Sequence, residues 1–152
     1  MKPNLLARKH LERKLGPLRE AGLEPPARGW LRALREAFGL TTTQLGARVG
    51  VVPSRISALE RAEVTGNTTL KSLREAAEAM GCTLVYAIVP TRPIDELLRA
   101  RAAALADAEL ARVHHTMRLE DQALTGTDLA EARQRIIGRY LEGDQRRLWE
   151  EP

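Results

Sequence analysis

The chain has 152 residues, of which 43% are hydrophobic but only 3% are aromatic, and its formal net charge is +4. This length suits one domain, or a small domain with an appendage, whose core is mostly aliphatic. A single cysteine excludes an internal disulfide, and no apolar run approaches the roughly 20 residues that cross a bilayer. We therefore expect a cytoplasmic protein with no membrane association.

Charge is distributed unevenly along the chain. Residues 1–40 carry nine Lys/Arg against four Asp/Glu, whereas residues 91–152 carry ten against twelve. A basic front and a mildly acidic rear suit a protein that meets phosphate with one end and something else with the other. The alternative is that most of these charges only solvate helix faces.

The first 28 residues are predicted to be a basic helix followed by a connector. The helix covers residues 4–20 and places three leucines near one face: Leu5, Leu11 and Leu15. Gly16-Pro17 and Pro25-Pro26 predict a connector over residues 16–28. Such a basic arm either reaches DNA phosphates or packs on the adjoining domain, and the sequence leaves both open.

Residues 29–38 are predicted to form the helix that anchors the core. Its core-facing stripe consists of Trp30, Leu31, Leu34 and Phe38. Three arginines, Arg28, Arg32 and Arg35, fall on another face. They either touch a DNA backbone or remain solvated.

The stretch from residue 41 to 63 has the pattern of a helix-turn-helix. Thr41 offers an N-cap to a helix that ends at Val49, and Gly50 stands where a helix end needs positive φ. A second helix runs from about Pro53 to Arg61. Each helix carries one narrow apolar stripe, so its other faces stay free. This unit lays its second helix in the major groove of DNA.

Ten residues of this region match a known pattern in order and spacing: Leu40, Thr41, Leu45, Val49, Gly50, Val51, Ile56, Ser57, Leu59 and Glu60. The pattern resembles the XRE family of helix-turn-helix regulators. Gly46 departs from it, standing where alanine is usual and loosening the helix. Val52 replaces the usual capping Ser or Thr, so Pro53 must help to start the second helix.

The resemblance implies which residues contact DNA. The residues expected to contact bases are Pro53, Ser54 and Arg55, and Ser57 or Ala58 one turn further on. Arg55 either bonds guanine O6 and N7 together or contacts a phosphate. Backbone contact falls to the start of the first helix: Thr42, Thr43 and Gln44. Glu60 is assigned a structural role.

Residues 82–90 are predicted to follow the domain of residues 29–81 as a β-strand. A helix over residues 70–80, capped by Thr69, completes that domain, and the run CTLVYAIV then has strand-forming composition before Pro90. A lone strand needs a partner, which is either the same strand of a second copy or an undetected strand of this chain. Pairing between copies would make a homodimer suited to a palindromic operator.

Residues 91–152 return to helix and are assigned as a partner-binding region. A long helix carries a stripe of Ile94, Leu98, Ala102 and Leu105. Gly126 is expected to end it, and Asp128 with Glu131 to begin a last helix as a capping box. Trp149 is placed to pin the C-terminus to the body.

Four segments extend a second resemblance over nearly the full length: GWLRALREAFGL, TLKSLREAAEAMGCTLVYAIVP, HTMRLEDQAL and RRLWEEP. They resemble the mobile mystery protein A family, whose members are typically encoded beside a Fic-domain protein that transfers AMP. The resemblance implies an antitoxin role. Fic-inhibitory helices carry [S/T]-x-x-x-E-[G/N], which Thr116 and Glu120 match at the first and fifth places. Its alternative is an exposed hydroxyl and a solvated glutamate.

Catalysis is not expected. His114 and His115 are adjacent, which is a poor arrangement for one metal, and no nucleotide-binding or metalloprotease motif occurs. The expected protein is mainly α, with a lambda-repressor-like helix-turn-helix bundle, one dimerising strand and C-terminal helices. The leading function is a sequence-specific repressor that binds double-stranded DNA without a cofactor and restrains a Fic toxin. The alternatives are a pure interaction protein that inhibits a Fic partner, and a stand-alone XRE regulator.

Overall fold

A computed structural model describes residues 5–119 and 125–150. Within those residues the regular elements are seven α-helices and one short 3₁₀ helix. The α-helices are α1 (Leu5–Ala21), α2 (Trp30–Ala37), α3 (Thr42–Val49), α4 (Pro53–Thr65), α5 (Leu70–Ala79), α6 (Ile94–Leu119) and α7 (Gly126–Glu142), and the 3₁₀ helix is Gln145–Trp149. None of these helices is both long enough and apolar enough to cross a membrane.

Helices α2 to α5 form one compact unit. Its core is an aliphatic cluster to which every one of these helices contributes: Leu31, Leu45, Ile56, Ala76 and Met80. Leu45 and Ile56 are each 1% exposed, so α3 and α4 are fixed to each other through the middle of this core. The expectation of four short helices over residues 29–80 is confirmed.

Local signals explain where these helices begin and end. The Thr41 hydroxyl accepts from the Gln44 amide, while the Gln44 side chain accepts from the Thr41 amide, which makes a capping box for α3. Gly50 ends α3 at φ 87°, in the left-handed region that glycine tolerates best. Thr69 caps α5. Val52 gives α4 no side-chain cap, and Pro53 stands at its first position, as expected.

Helix α1 belongs to the other unit, together with α6, α7 and the 3₁₀ helix. The core there is formed by Leu98, Ala102, Leu105, Ala106, Ile137 and Leu148. Arg8 pairs with Asp95 at 2.7 Å, and Glu12 accepts from the Ile94 amide at the start of α6. The predicted α6 stripe is confirmed at Leu98, Ala102 and Leu105, whereas Leu5 and Leu11 of α1 are exposed.

The predicted helix over residues 4–20 is confirmed from Leu5 onward, whereas the prediction that the connector begins at residue 16 is wrong. Helix α1 continues through Gly16 and Pro17 to Ala21. Proline removes one helical hydrogen bond, but an ion pair between Glu12 and Arg19 spans this turn. Gly16 is buried beneath this ion pair, since a Cβ there would come within 3.7 and 3.8 Å of the Glu12 and Arg19 side chains.

The aromatic anchors predicted from the sequence are also wrong. Trp30, Phe38 and Trp149 are 44%, 55% and 65% exposed. The adjoining aliphatic residues fill the cores instead, with Leu31 at 5% and Leu148 at 0%. Adjacent residues of a helix point 100° or more apart, so Trp30 and Trp149 turn away from the cores that Leu31 and Leu148 face.

The start of α7 differs from the prediction as well. Thr125 is the N-cap and Asp128 is the partner in its capping box, three residues earlier than a cap at Asp128. Gly126 therefore opens α7 rather than closing α6. The predicted end at Gly143 is confirmed.

The predicted strand at residues 82–90 is absent from the described chain, where no residue is in a strand. The physical reason is the one that makes isolated strands unstable: the described residues supply no second strand to accept and donate backbone hydrogen bonds. The segment is instead an irregular stretch in which Val85, Tyr86 and Ile88 are 81%, 66% and 87% exposed. Intrachain pairing is thereby ruled out within residues 5–119 and 125–150.

Candidate nucleic-acid interface

The start of α3 presents its polar residues outward. Thr43 and Gln44 are exposed and Thr42 is half-buried. The Gln44 side-chain oxygen lies 2.8 Å from the Thr41 amide, so the cap occupies this oxygen and leaves the side-chain NH₂ as a donor. A helix N-terminus with donors on its surface favours anions.

Helix α4 has one buried face and one exposed ridge. Ile56 and Glu60 are 1% and 5% exposed and point inward. At 100° per residue, the ridge on the opposite side contains Ser54, Ala58, Arg61 and Thr65, all of which are exposed. Of the other predicted contact residues, Pro53 and Arg55 are exposed and Ser57 is half-buried, with its hydroxyl 3.4 Å from the Pro53 carbonyl oxygen.

A buried ion pair holds the middle of α4 to α2. Arg35 donates from Nε and Nη2 to the two carboxylate oxygens of Glu60 at 2.5 and 3.1 Å. Its Nη1 also donates to the Leu40 carbonyl at 2.9 Å. The hydrogen bond to Glu60 raises the pKa of Arg35, so the guanidinium stays charged despite its burial. Glu60 thus has the structural role expected of it, whereas Arg35 lies in the interior rather than on a DNA-facing or solvated surface.

A second carboxylate fixes the end of α4 to the start of α2. Glu63 accepts from the amides of Trp30 and Leu31 at 2.9 and 3.0 Å. Gly29 lies directly beneath it, at φ 84°, and a Cβ there would come within 2.7 Å of the Glu63 carboxylate. The sequence did not predict this contact, because it joins residues more than 30 positions apart and no local motif indicates it. Together with Arg35 and Glu60, it orients α4 at two points along its length.

The turn between α3 and α4 depends on Gly46. Its carbonyl accepts from the amides of both Gly50 and Val51 at 2.8 Å. A Cβ on Gly46 would lie 2.6 Å from the Val51 carbonyl oxygen. The departure from the XRE pattern therefore permits a close backbone approach, beyond the loosening of the helix that the sequence suggested.

We expect Gly46→Ala to destabilise the protein by about 1–3 kcal/mol, because the new methyl group meets backbone that cannot rotate away. Helix propensity alone would favour alanine by up to about 1 kcal/mol. Gly138→Ala is the matched control, since a Cβ at this α7 position meets nothing within 4 Å. Urea denaturation followed by circular dichroism compares the two. Equal shifts in the two variants would contradict the close-approach argument.

Two grooves flank α4 on opposite sides of the exposed ridge. One, of about 370 Å³, lies towards α5 and is lined by Arg55, Leu59, Asn67, Thr68, Thr69, Ser72 and Glu75, among others. The other, of about 580 Å³, lies towards α2 and includes Arg28, Arg32, Thr42, Ser57 and Arg61. Four of the eight predicted contact residues line these grooves: Thr42, Arg55, Ser57 and Ala58. Arg61 and the Asn67–Thr69 loop were not predicted to belong with them.

Comparison with known proteins agrees with this geometry. Residues 31–86 match the family model described as Helix-turn-helix. The chain contains an XRE-type helix-turn-helix domain. In this domain α3 and α4 are the paired helices, and the match extends into the irregular segment after α5. No curated protein and no solved structure matches the chain.

The proposed Fic-inhibitory residues lie in the other unit. Thr116 is exposed on α6, where its hydroxyl donates to the Arg112 carbonyl at 3.2 Å. Glu120 lies outside the described residues. None of the comparisons supports membership of the mobile mystery protein family or a Fic partner, so the antitoxin role stays a prediction from the sequence resemblance.

Proposed function

We propose that this protein is a sequence-specific DNA-binding repressor that inserts α4 of its helix-turn-helix domain into the major groove. The observation that carries the proposal is the exposed ridge of α4, which is presented by a helix held rigidly from behind. Ile56, Glu60 and Glu63 are all engaged on the inner side, so the outer side is free to meet a partner. An α-helix of this diameter fits a groove about 12 Å wide.

The proposed DNA contacts are of two kinds, those to backbone phosphates and those to base edges. Thr42, Thr43 and Gln44 place hydroxyls and amide donors where a backbone phosphate fits the end of α3. Pro53, Ser54 and Arg55 lie at the leading end of α4, which contacts base edges in this motif. Ala58 offers a methyl-sized apolar contact one turn later, and Ser57 a hydroxyl.

Arg55→Ala tests base reading. We expect operator affinity to fall by about 1–3 kcal/mol, because a guanidinium that bonds guanine O6 and N7 is replaced by a methyl group. Affinity for unrelated DNA should change far less. The operator is obtained by selecting bound sequences from a random duplex pool, and affinities are measured by fluorescence anisotropy at fixed salt.

Arg74→Ala is the matched control for this test. Arg74 is an exposed arginine of α5 that lines neither groove, so its loss removes the same charge without removing a contact. Equal losses on operator and unrelated DNA would show that Arg55 holds phosphate. Unchanged affinity for both would remove Arg55 from the interface.

The same proposal includes a homodimer formed through residues 82–88 of two copies. No backbone amide of residues 83–88 donates a hydrogen bond within the described chain. The apolar side chains of Val85, Tyr86 and Ile88 are largely exposed there. A second copy supplies the missing donors and acceptors by antiparallel pairing, and it relates two α4 helices by a two-fold axis, as a palindromic operator requires.

A further inference from the structure

The groove between α2 and α4 is lined by Arg28, Arg32 and Arg61 and is referred to here as the arginine groove. Part of its positive charge is not neutralised by ion pairs within the described residues. Arg61 is exposed, and its side chain makes no ion pair among the residues that the structure describes. Arg28 is also exposed. Arg32 bonds Glu36 at 2.8 Å, and Arg35, at the floor of the groove, is paired with Glu60. Two arginines therefore remain to meet an external anion.

The pKa of a neighbouring carboxyl group reflects the arginines of this groove. The pKa of Glu36 is held below its usual range, chiefly by its hydrogen bond from Arg32 and further by the charges of Arg32, Arg28 and Arg35. Glu36 is bonded to Arg32 and Glu60 to Arg35, so the positive charge left over on this side of α4 is that of Arg28 and Arg61.

The position of Arg61 along α4 decides what it meets. Arg61 is six residues beyond Arg55, which places it about 9 Å further along the helix axis. The N-terminal residues of a recognition helix contact base edges. We expect Arg61, nearly two turns further on, to meet the wall of the groove instead. The wall of a DNA groove is the phosphate backbone.

We propose that the arginine groove seats a phosphate of the DNA backbone between Arg28 and Arg61, beside the half-site that α4 reads. This inference rests on the proposed DNA-binding function and deepens it. The hydroxyls of Thr42 and Ser57 line the same groove and add neutral donors. The groove therefore offers a phosphate both charge and directed hydrogen bonds.

The groove on the other side of α4 is a poorer phosphate site. It is lined by Arg55 as its one cation and also by the carboxylate of Glu75. Its remaining polar groups, Asn67, Thr68, Thr69 and Ser72, are neutral. Backbone attraction should therefore be unequal on the two sides of α4, and most of the salt dependence should come from the arginine groove.

Salt-dependent binding tests the proposal on the full-length protein. The probe is the duplex selected from a random pool, with a scrambled duplex of equal length beside it. Each phosphate contact contributes about −0.9 to the slope of log K against log salt. We expect Arg61→Ala and Arg28→Ala each to reduce the slope by up to about this amount and to weaken both duplexes by the same factor.

Two further variants separate the site from general effects of charge and folding. Arg61→Lys should restore most of the slope, because an ammonium group still neutralises a phosphate. Arg74→Ala should leave the slope unchanged. The thermal midpoint of Arg61→Ala should match that of the wild type, since this side chain contributes no bond to the described fold.

The possible failures are distinguishable. If the wild type prefers the selected duplex but Arg61→Ala and Arg28→Ala leave the salt slope unchanged, the phosphate site is overturned and the DNA-binding function stands. If Arg61→Ala weakens the selected duplex alone, Arg61 reads a base and the phosphate site is likewise overturned. If the wild type binds neither duplex, the proposed function fails and the inference fails with it.

Discussion

Replacing Glu60 with alanine is expected to destabilise the helix-turn-helix domain by about 3–5 kcal/mol, because Arg35 would then be left charged in the interior with only the exposed carboxylate of Glu36, 3.9 Å away, as a counter-charge. Arg35 is 8% exposed, and its remaining hydrogen bond, to the Leu40 carbonyl, does not neutralise it. A loss of this size is a large part of the stability of an ordinary domain, which is about 5–15 kcal/mol. The variant should therefore be close to unfolding at 37 °C.

Urea denaturation followed by tryptophan fluorescence measures this effect. The two tryptophans, Trp30 and Trp149, lie in different units, so a Trp149→Phe background reports the helix-turn-helix domain alone. The control is a double variant, Arg35→Met with Glu60→Leu, which removes both charges and keeps apolar volume. The double variant should lower the free energy of unfolding much less than Glu60→Ala does. If the free energy of unfolding of Glu60→Ala lies within about 1 kcal/mol of that of its parent, water or another group must reach Arg35.

Much of the helix-turn-helix was predictable because its signals are local. Thr41 and Thr69 cap helices through their own side chains, Gly50 supplies positive φ, and Pro53 stands at a position where proline is favoured. Each of these acts within one turn of helix. A pattern of nearest neighbours is therefore enough to place α3, α5 and the start of α4, although α4 continues to Thr65, one turn beyond its predicted end at about Arg61.

What the sequence could not predict depends on residues far apart in the chain. Trp30 and Leu31 were both predicted to face the core, and nothing near them in sequence shows that only Leu31 does so, since that depends on the neighbouring helices. The contact of Glu63 with the start of α2 spans more than 30 residues. The run at 82–89 has the composition of a strand, but composition cannot supply the second strand that pairing needs.

The DNA-contacting residues stay a prediction, and the structure bears only on their exposure. Pattern matching placed contact residues at the leading ends of α3 and α4, and the structure exposes six of these eight side chains fully or at the edge of a groove: Thr43, Gln44, Pro53, Ser54, Arg55 and Ala58. It did not indicate Arg61, and the sequence named Arg28 only as one of three arginines that either touch a DNA backbone or remain solvated. These two come together only because Glu63 and the pair of Arg35 and Glu60 fix α2 against α4. A phosphate site of this kind is a product of packing between helices.

A double proline variant, Tyr86→Pro with Ala87→Pro, is expected to convert the dimer into a monomer and to weaken operator binding by about 10²–10⁴-fold. Neighbouring residues of a strand direct their amides to opposite edges, so two successive prolines remove a donor from whichever edge pairs. Loss of the dimer also removes the high effective concentration of the second α4 at its half-site, which accounts for the size of the effect. The folded monomer should be little affected, because these amides donate no bond within the described chain.

Light scattering gives the oligomeric state, and anisotropy on the full palindrome and on a single half-site gives the two affinities. The wild type should have twice the 16.9 kDa chain mass, and the proline variant should have that mass once. Its half-site affinity should equal that of the wild type, since α4 is untouched. Tyr86→Ala keeps both amides and serves as the control, which should remain a dimer. A proline variant that still dimerises would place the contact between copies elsewhere. A monomeric wild type would exclude the homodimer. In either case the exposed side chains of Val85, Tyr86 and Ile88 would need another partner.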